Sequence, residues 1–175
     1  MQDYRRKIAY LYAYEGGEKL GNAGFVKAED RGGLCRLAVH LRCYSRSGED
    51  PGKVYLYFRH RQQLVGIYLG ALKNRNGALE WQGTFSSDDI QGKGIRFGQT
   101  EGVWIQRPGG KEYVAEWDDY PVDISRFVIY PKGGEKCIRC PWFGKCERSS
   151  VDEADRRGTV YEGSDPAGQK SREAE

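Results

Sequence analysis

Three thiols fall within ten residues near the C-terminal end, in Cys137-Ile-Arg-Cys140-Pro-Trp-Phe-Gly-Lys-Cys146, a C-x2-C-x5-C pattern. A tight turn brings both sulfurs of a C-x2-C within reach of one ion. Pro141 and Gly144 suit such a turn, and Trp142 and Phe143 could shield the site. A structural zinc site or a cubane iron–sulfur cluster takes four ligands, so one more is needed. The other two thiols are Cys35 and Cys43. On one extended strand they would stand about 26 Å apart at ~3.3 Å per residue, so they cannot bridge each other. Cys43, at the strand end beside a loop, is the candidate fourth ligand, with His40 and His60 behind it. Zinc or an iron–sulfur cluster is the cofactor expectation, and a redox or sensor protein the activity it would bring. The plainer readings are a redox C-x2-C or uncommitted thiols in a flexible tail, and, for Cys35 and Cys43, small hydrophobes packed in a core.

The element that sorts the cysteines is residues 33–43, GLCRLAVHLRC. Its odd positions, Cys35, Leu37, Val39, Leu41 and Cys43, are apolar, while its even positions carry Arg36, Ala38, His40 and Arg42. Successive side chains of a strand point to opposite faces, so this is a strand with one dry face and one wet, basic face. The rest of the chain carries the same period. Residues 7–14 place Ile8, Tyr10, Tyr12 and Tyr14 on one face; 22–29 form a second strand. Residues 53–59 set Val54, Leu56 and Phe58 against Tyr55, Tyr57 and Arg59, with the tyrosines outward. Residues 64–72 and 78–85 complete a meander across Asn76-Gly77, the strongest short hairpin signal. Ser87 is a candidate cap for a helical turn after residue 86. Residues 95–97, 103–106 and 112–117 add short strands, and 122–130 a final strand or helical turn. About nine short strands with turns every 8–12 residues and no amphipathic helix predict an all-β fold, an antiparallel β-sandwich or barrel.

The 175 residues suit one domain with extensions. The expected organisation is a β-sandwich domain over 1–130, a Cys-rich segment over 131–148 and a disordered charged tail over 149–175. Residues 147–175 hold 5 basic and 8 acidic side chains, leaving 23 basic and 17 acidic in the remainder. A basic body with an acidic tail hints at an anionic partner. No signal peptide is visible, and no apolar run approaches the ~18 residues of a membrane span. Five cysteines fit a disulfide framework badly, so the expected setting is cytoplasmic with reduced thiols.

Several runs resemble a known family: YLYAYEGGEKLGNAGFVKAEDRGGLCRLAVHLR, the later GIYLGALKNRNG, and WDDYP followed by Phe127. The likeness is to a domain of unknown function from anaerobic Gram-positive (clostridial) bacteria. It covers roughly residues 8–128, implies a single domain and brings no catalytic residues with it. The cysteine trio looks like that of the iron–sulfur RecB-like nucleases, over ten residues only. That likeness implies cluster binding and not nuclease activity, since the β pattern is wrong for an α/β nuclease.

A basic outer face is the other candidate site. Arg36, His40 and Arg42 point outward from the 33–43 strand, and outward Tyr55 and Tyr57 could stack on bases or sugars. The plainer reading is an ordinary solvated sheet face with cross-strand pairs. Asp118, Asp119, Asp88 and Asp89 read as turn residues that bond their own backbone. Two histidines and no nucleophile–base grouping leave no catalytic residues to name. The expectation is a non-enzymatic binding or adaptor domain with a protein partner first, then a glycan or nucleic acid, and no membrane. The alternatives are the metal-dependent sensor and a nucleic-acid-binding module using the Tyr-bearing face.

Overall fold

The alternation becomes ten strands: β1 (Tyr4–Glu15), β2 (Glu18–Arg31), β3 (Leu34–Leu41), β4 (Lys53–His60), β5 (Gln63–Ala71), β6 (Lys73–Arg75), β7 (Ala78–Ser86), β8 (Gly102–Arg107), β9 (Lys111–Glu116) and β10 (Phe127–Ile129). The structure is a computed structural model that describes residues 4–43, 45–46 and 48–131. Cys137, Cys140, Cys146 and the tail expected over 149–175 lie outside the described residues. The chain divides into units Met1–Tyr130 and Pro131–Glu175, and the first is described below.

The fold is all-β. One sheet runs in the order β10-β5-β4-β8-β9-β1-β2-β3-β7-β6 and curls into a half-barrel. Every pairing is antiparallel except that of β10 with β5, which is parallel. The strand expected at 95–97 is absent: Phe97–Gln99 is a 3-10 turn, with Phe97 buried. Ser87 is not a cap, because Ser86 Oγ accepts the N–H groups of Asp88 and Asp89 instead. Gly32 and Gly33 both take positive φ, as do Asn76 and Gly77, which is what two-residue hairpin turns matched to strand twist require.

The curl closes one face of the sheet on itself. Cys35, Leu37, Val39 and Leu41 of β3 are buried, as the alternation requires. Across the interior lie Leu56 of β4, Ile67 of β5 and Ile105 of β8, also buried. Each such side chain contributes about 1.5–3 kcal/mol by leaving water. Trp81 helps to seal the open side. Its indole lies over Gly70 of β5 and Gly83 of its own strand, and a Cβ on Gly83 would stand 2.5 Å from Cη2.

A second apolar layer covers half of the outer face. Tyr14, Tyr55, Tyr57, Leu64, Trp104 and Val114 form it, and Tyr12, Val122, Ile124 and Phe127 pack against it. Phe127 stacks on Trp104 with ring centroids 4.4 Å apart and meets Tyr57 edge-on at 5.0 Å. Gly66 makes room for the indole, since a Cβ there would lie 2.9 Å from Trp104 Cε3. This layer corrects the placement of Tyr55 and Tyr57. Both are buried, at 2% and 0% exposure, and neither faces solvent as a ligand contact. Strict alternation along β4 marks two faces but not which is wet, and the segment after β9 supplies the cover. That crossing delivers β10 to β5 in the same direction as β5, which a tight hairpin cannot do.

Candidate ligand-binding face

The other half of the outer face is bare. The register across β1, β2, β3 and β7 aligns its outward side chains in rungs. Tyr10 stands opposite Phe25, Phe25 opposite His40, His40 opposite Glu80, and Glu80 opposite Lys73. The next rung is Ile8, Lys27, Ala38 and Gln82. Beyond it come Arg6, Glu29, Arg36 and Thr84, then Tyr4, Arg31, Leu34 and Ser86. Arg42 follows His40 on the same side and donates to Asn22 Oδ1 at 2.6 Å.

Alternation puts polar and charged groups here, but large apolar groups share the surface. Tyr10 is 62% exposed, Ile8 56% and Phe25 42%. Seven basic side chains, Arg6, Lys27, Arg31, Arg36, Arg42, Lys73 and Arg75, face two carboxylates, Glu29 and Glu80. Both carboxylates are engaged. Glu29 meets Lys27 at 2.8 Å, and that bond leads a set of basic neighbours holding its carboxyl below the usual range. Glu80 Oε1 lies 3.0 Å from His40 Nδ1, while Arg75 approaches its other oxygen at 3.8 Å. A depression of about 460 Å³ opens at the β6 edge beside Glu80, lined by Lys73, Asn74, Arg75 and Trp81 among others.

Of the expected binding residues, Arg36, His40 and Arg42 share this face, and Tyr55 and Tyr57 belong to the sealed half. Tyr10, Phe25 and Lys27 share this face with Arg36, His40 and Arg42, although the sequence pattern of the 33–43 strand does not mark them. The glycine turns at 16–17 and 32–33 carry the signal for them, because pairing outward from those turns brings Tyr10, Phe25 and His40 close to one rung.

Cys43 sits elsewhere, at a corner past the end of β3. Arg107 donates from Nη1 to Cys43 Sγ at 3.0 Å, and the Tyr113 hydroxyl approaches the same sulfur at 3.6 Å. The Arg107 side chain is 4% exposed and also donates to the Pro51 carbonyl at 3.0 Å. A guanidinium held this close favours an acceptor sulfur and opposes a dication at the same place. Burial, with the Cys43 contact second, raises the Tyr113 phenol above its ordinary value. Cys35 is fully buried, and burial pushes its thiol up to about 12. Among the described residues no group of three or more His, Cys, Asp or Glu side chains could hold a metal ion. The partners expected for Cys43 or His60 in such a group, Cys137, Cys140 and Cys146, lie outside the described residues.

In the sealed half, the Tyr57 hydroxyl has no hydrogen-bond partner among the described residues, and burial raises its pKa strongly. Tyr14 donates to Glu116 Oε1 at 3.4 Å, and burial followed by that carboxylate pushes it up to about 12. Trp104 donates from Nε1 to Glu112 at 2.7 Å. These groups lie under the segment that crosses from β9 to β10. No helix of the described residues is long and apolar enough to cross a membrane. No family model, no curated protein and no solved structure matches the chain.

Proposed function

We propose that this domain is a non-enzymatic binding module that holds an anionic ligand on the bare outer face of β1, β2, β3 and β7. The observation that carries the reading is the division of the outer surface. One half is sealed by the chain's own aromatic side chains, while the other exposes Tyr10, Phe25 and Ile8 among seven basic groups and two carboxylates. An exposed apolar patch set in an excess of one sign of charge is the surface expected of an interaction site. Cys35, a thiol sealed in the core, fits a reducing, cytoplasmic setting.

Retention on immobilised heparin tests the reading. The wild-type chain should be retained and should elute with salt. The double variant Arg36→Glu, Arg42→Glu should pass through, with unchanged circular dichroism. Equal retention of the two proteins would place the binding surface elsewhere.

A further inference from the structure

The bare face offers more than charge, and its arrangement of rings narrows the ligand. This step rests on the reading of that face as the binding surface. Tyr10, Phe25 and His40 stand side by side on three neighbouring strands. Phe25 stacks on His40 with ring centroids 5.2 Å apart and planes 25° apart. The His40 ring is held from its far side by Glu80, at 3.0 Å from Nδ1. The two rings therefore form a block fixed by three strands, with Tyr10 beside it and well exposed. Cations flank the row in both directions along the strands. Lys27 is one rung away, Arg36 two rungs from Phe25, and Arg42 follows His40 on the other side. Same-face neighbours along a strand are about 6.7 Å apart, and adjacent strands about 4.8 Å. Flat rings and positive charges thus alternate at the scale of a nucleotide.

We propose that the ligand of this face is single-stranded nucleic acid, its bases laid against Tyr10, Phe25 and His40 and its phosphates against Lys27, Arg36 and Arg42. Unpaired bases present π faces that stack on exposed aromatic rings, and the backbone supplies negative charge to a face where basic groups outnumber carboxylates. A duplex hides its base faces, and this sheet face has no described helix or projecting ribbon to enter a groove. A sulfated glycan matches the charge but brings no conjugated ring to the aromatic row. An anionic lipid surface matches charge and apolar groups but gains nothing from ring faces over aliphatic bulk.

The test is fluorescence anisotropy with labelled oligo-dT and oligo-U of about twelve nucleotides. A duplex of the same length, heparin and phosphatidylserine vesicles serve as comparison probes. Both single strands should bind, and log K should fall with log salt at a slope of about −2, since three neutralised phosphates contribute roughly −0.7 each. The duplex should bind at least about tenfold more weakly. Tyr10→Leu and Phe25→Leu keep apolar bulk while removing the ring faces. Each should weaken oligonucleotide binding by about tenfold, a loss at least several-fold larger than its effect on heparin binding. Arg36→Gln should weaken both and lower the salt slope. A duplex bound as tightly as the single strands, or leucine variants that bind oligonucleotide like wild type, would overturn the proposal. If heparin or vesicles bind through Arg36 and Arg42 while oligonucleotides do not, the nucleic-acid assignment fails and the binding face stands. If no polyanion binds, both fail.

Discussion

Phe25 and His40 stack across the β2–β3 boundary, with centroids 5.2 Å apart, and His40 Nδ1 lies 3.0 Å from Glu80 of β7. A carboxylate accepts, so Nδ1 carries the hydrogen. Three strands thus converge on one ring pair at a solvent-facing position. Exposed aromatic side chains usually cost rotamer freedom when a ligand orders them. Here the fold orders Phe25 and His40 in advance.

The carboxylate at the end of that row has a measurable role. Glu80→Gln removes one of the two negative charges on the face while retaining an acceptor for His40. Polyanion affinity should rise by a few-fold, and Arg36→Glu should lower it by tenfold or more. Heparin affinity at fixed salt reads both. A weaker Glu80→Gln variant would show that the charge balance of the face does not govern binding.

The sealed half should carry much of the stability. Phe127→Ala strips the cover from Trp104 and Tyr57, and should cost about 3 kcal/mol. Gly66→Ala forces a methyl group against the Trp104 ring and should cost ~1–3 kcal/mol. Urea unfolding measures both, and Trp fluorescence should shift to the red in the Phe127→Ala protein. An unchanged midpoint for Phe127→Ala would mean that the segment after β9 does not cover the outer face.

Base should unfold the domain. Tyr14 and Cys35 are held up to about 12, from ordinary values of 10.0 and 9.0, and Tyr57 is raised as well. All three are neutral when protonated, so the folded state keeps protons that the unfolded chain releases first. Their contribution is full below pH 9, declines as the unfolded chain ionises, and is lost as pH rises to about 12. Ionisation of the buried tyrosines and loss of the far-UV circular dichroism of the sheet should therefore coincide within that window. Complete tyrosine ionisation with an intact sheet spectrum at pH 12 would contradict the burial of Tyr14 and Tyr57.

The two body cysteines should differ in reactivity. Cys35 is sealed and its thiolate disfavoured, so iodoacetamide at neutral pH should leave it unmodified until urea is added. Cys43 is partly exposed and beside Arg107, and should label in the folded protein. Peptide mass mapping separates these sites from the late trio. Labelling of Cys35 at the rate of Cys43 would show that the interior opens readily.

The strand from Leu34 to Leu41 was legible because its alternation is unbroken and only one of its faces is dry. The same period along β4 misled, because Tyr55 and Tyr57 lie on a second dry face. That face is created by Phe127, some seventy residues later, and no local pattern announces it. The parallel pairing of β10 with β5 was hidden for the same reason. Arg36, His40 and Arg42 were readable as outward groups from one strand alone. Tyr10 and Phe25 joined them only through the register of β1, β2 and β3, which a single strand does not contain.

The most direct measurement is a backbone amide NMR titration of the folded chain with oligo-dT or heparin at low salt. Shifts should concentrate on β1, β2, β3 and β7, centred on Tyr10, Phe25, Lys27, Arg36 and His40, and should reverse when salt is added. Shifts confined to β4, β5, β8 and β10, or a titration that moves no resonance on the bare face, would contradict the assignment of that face as the binding surface.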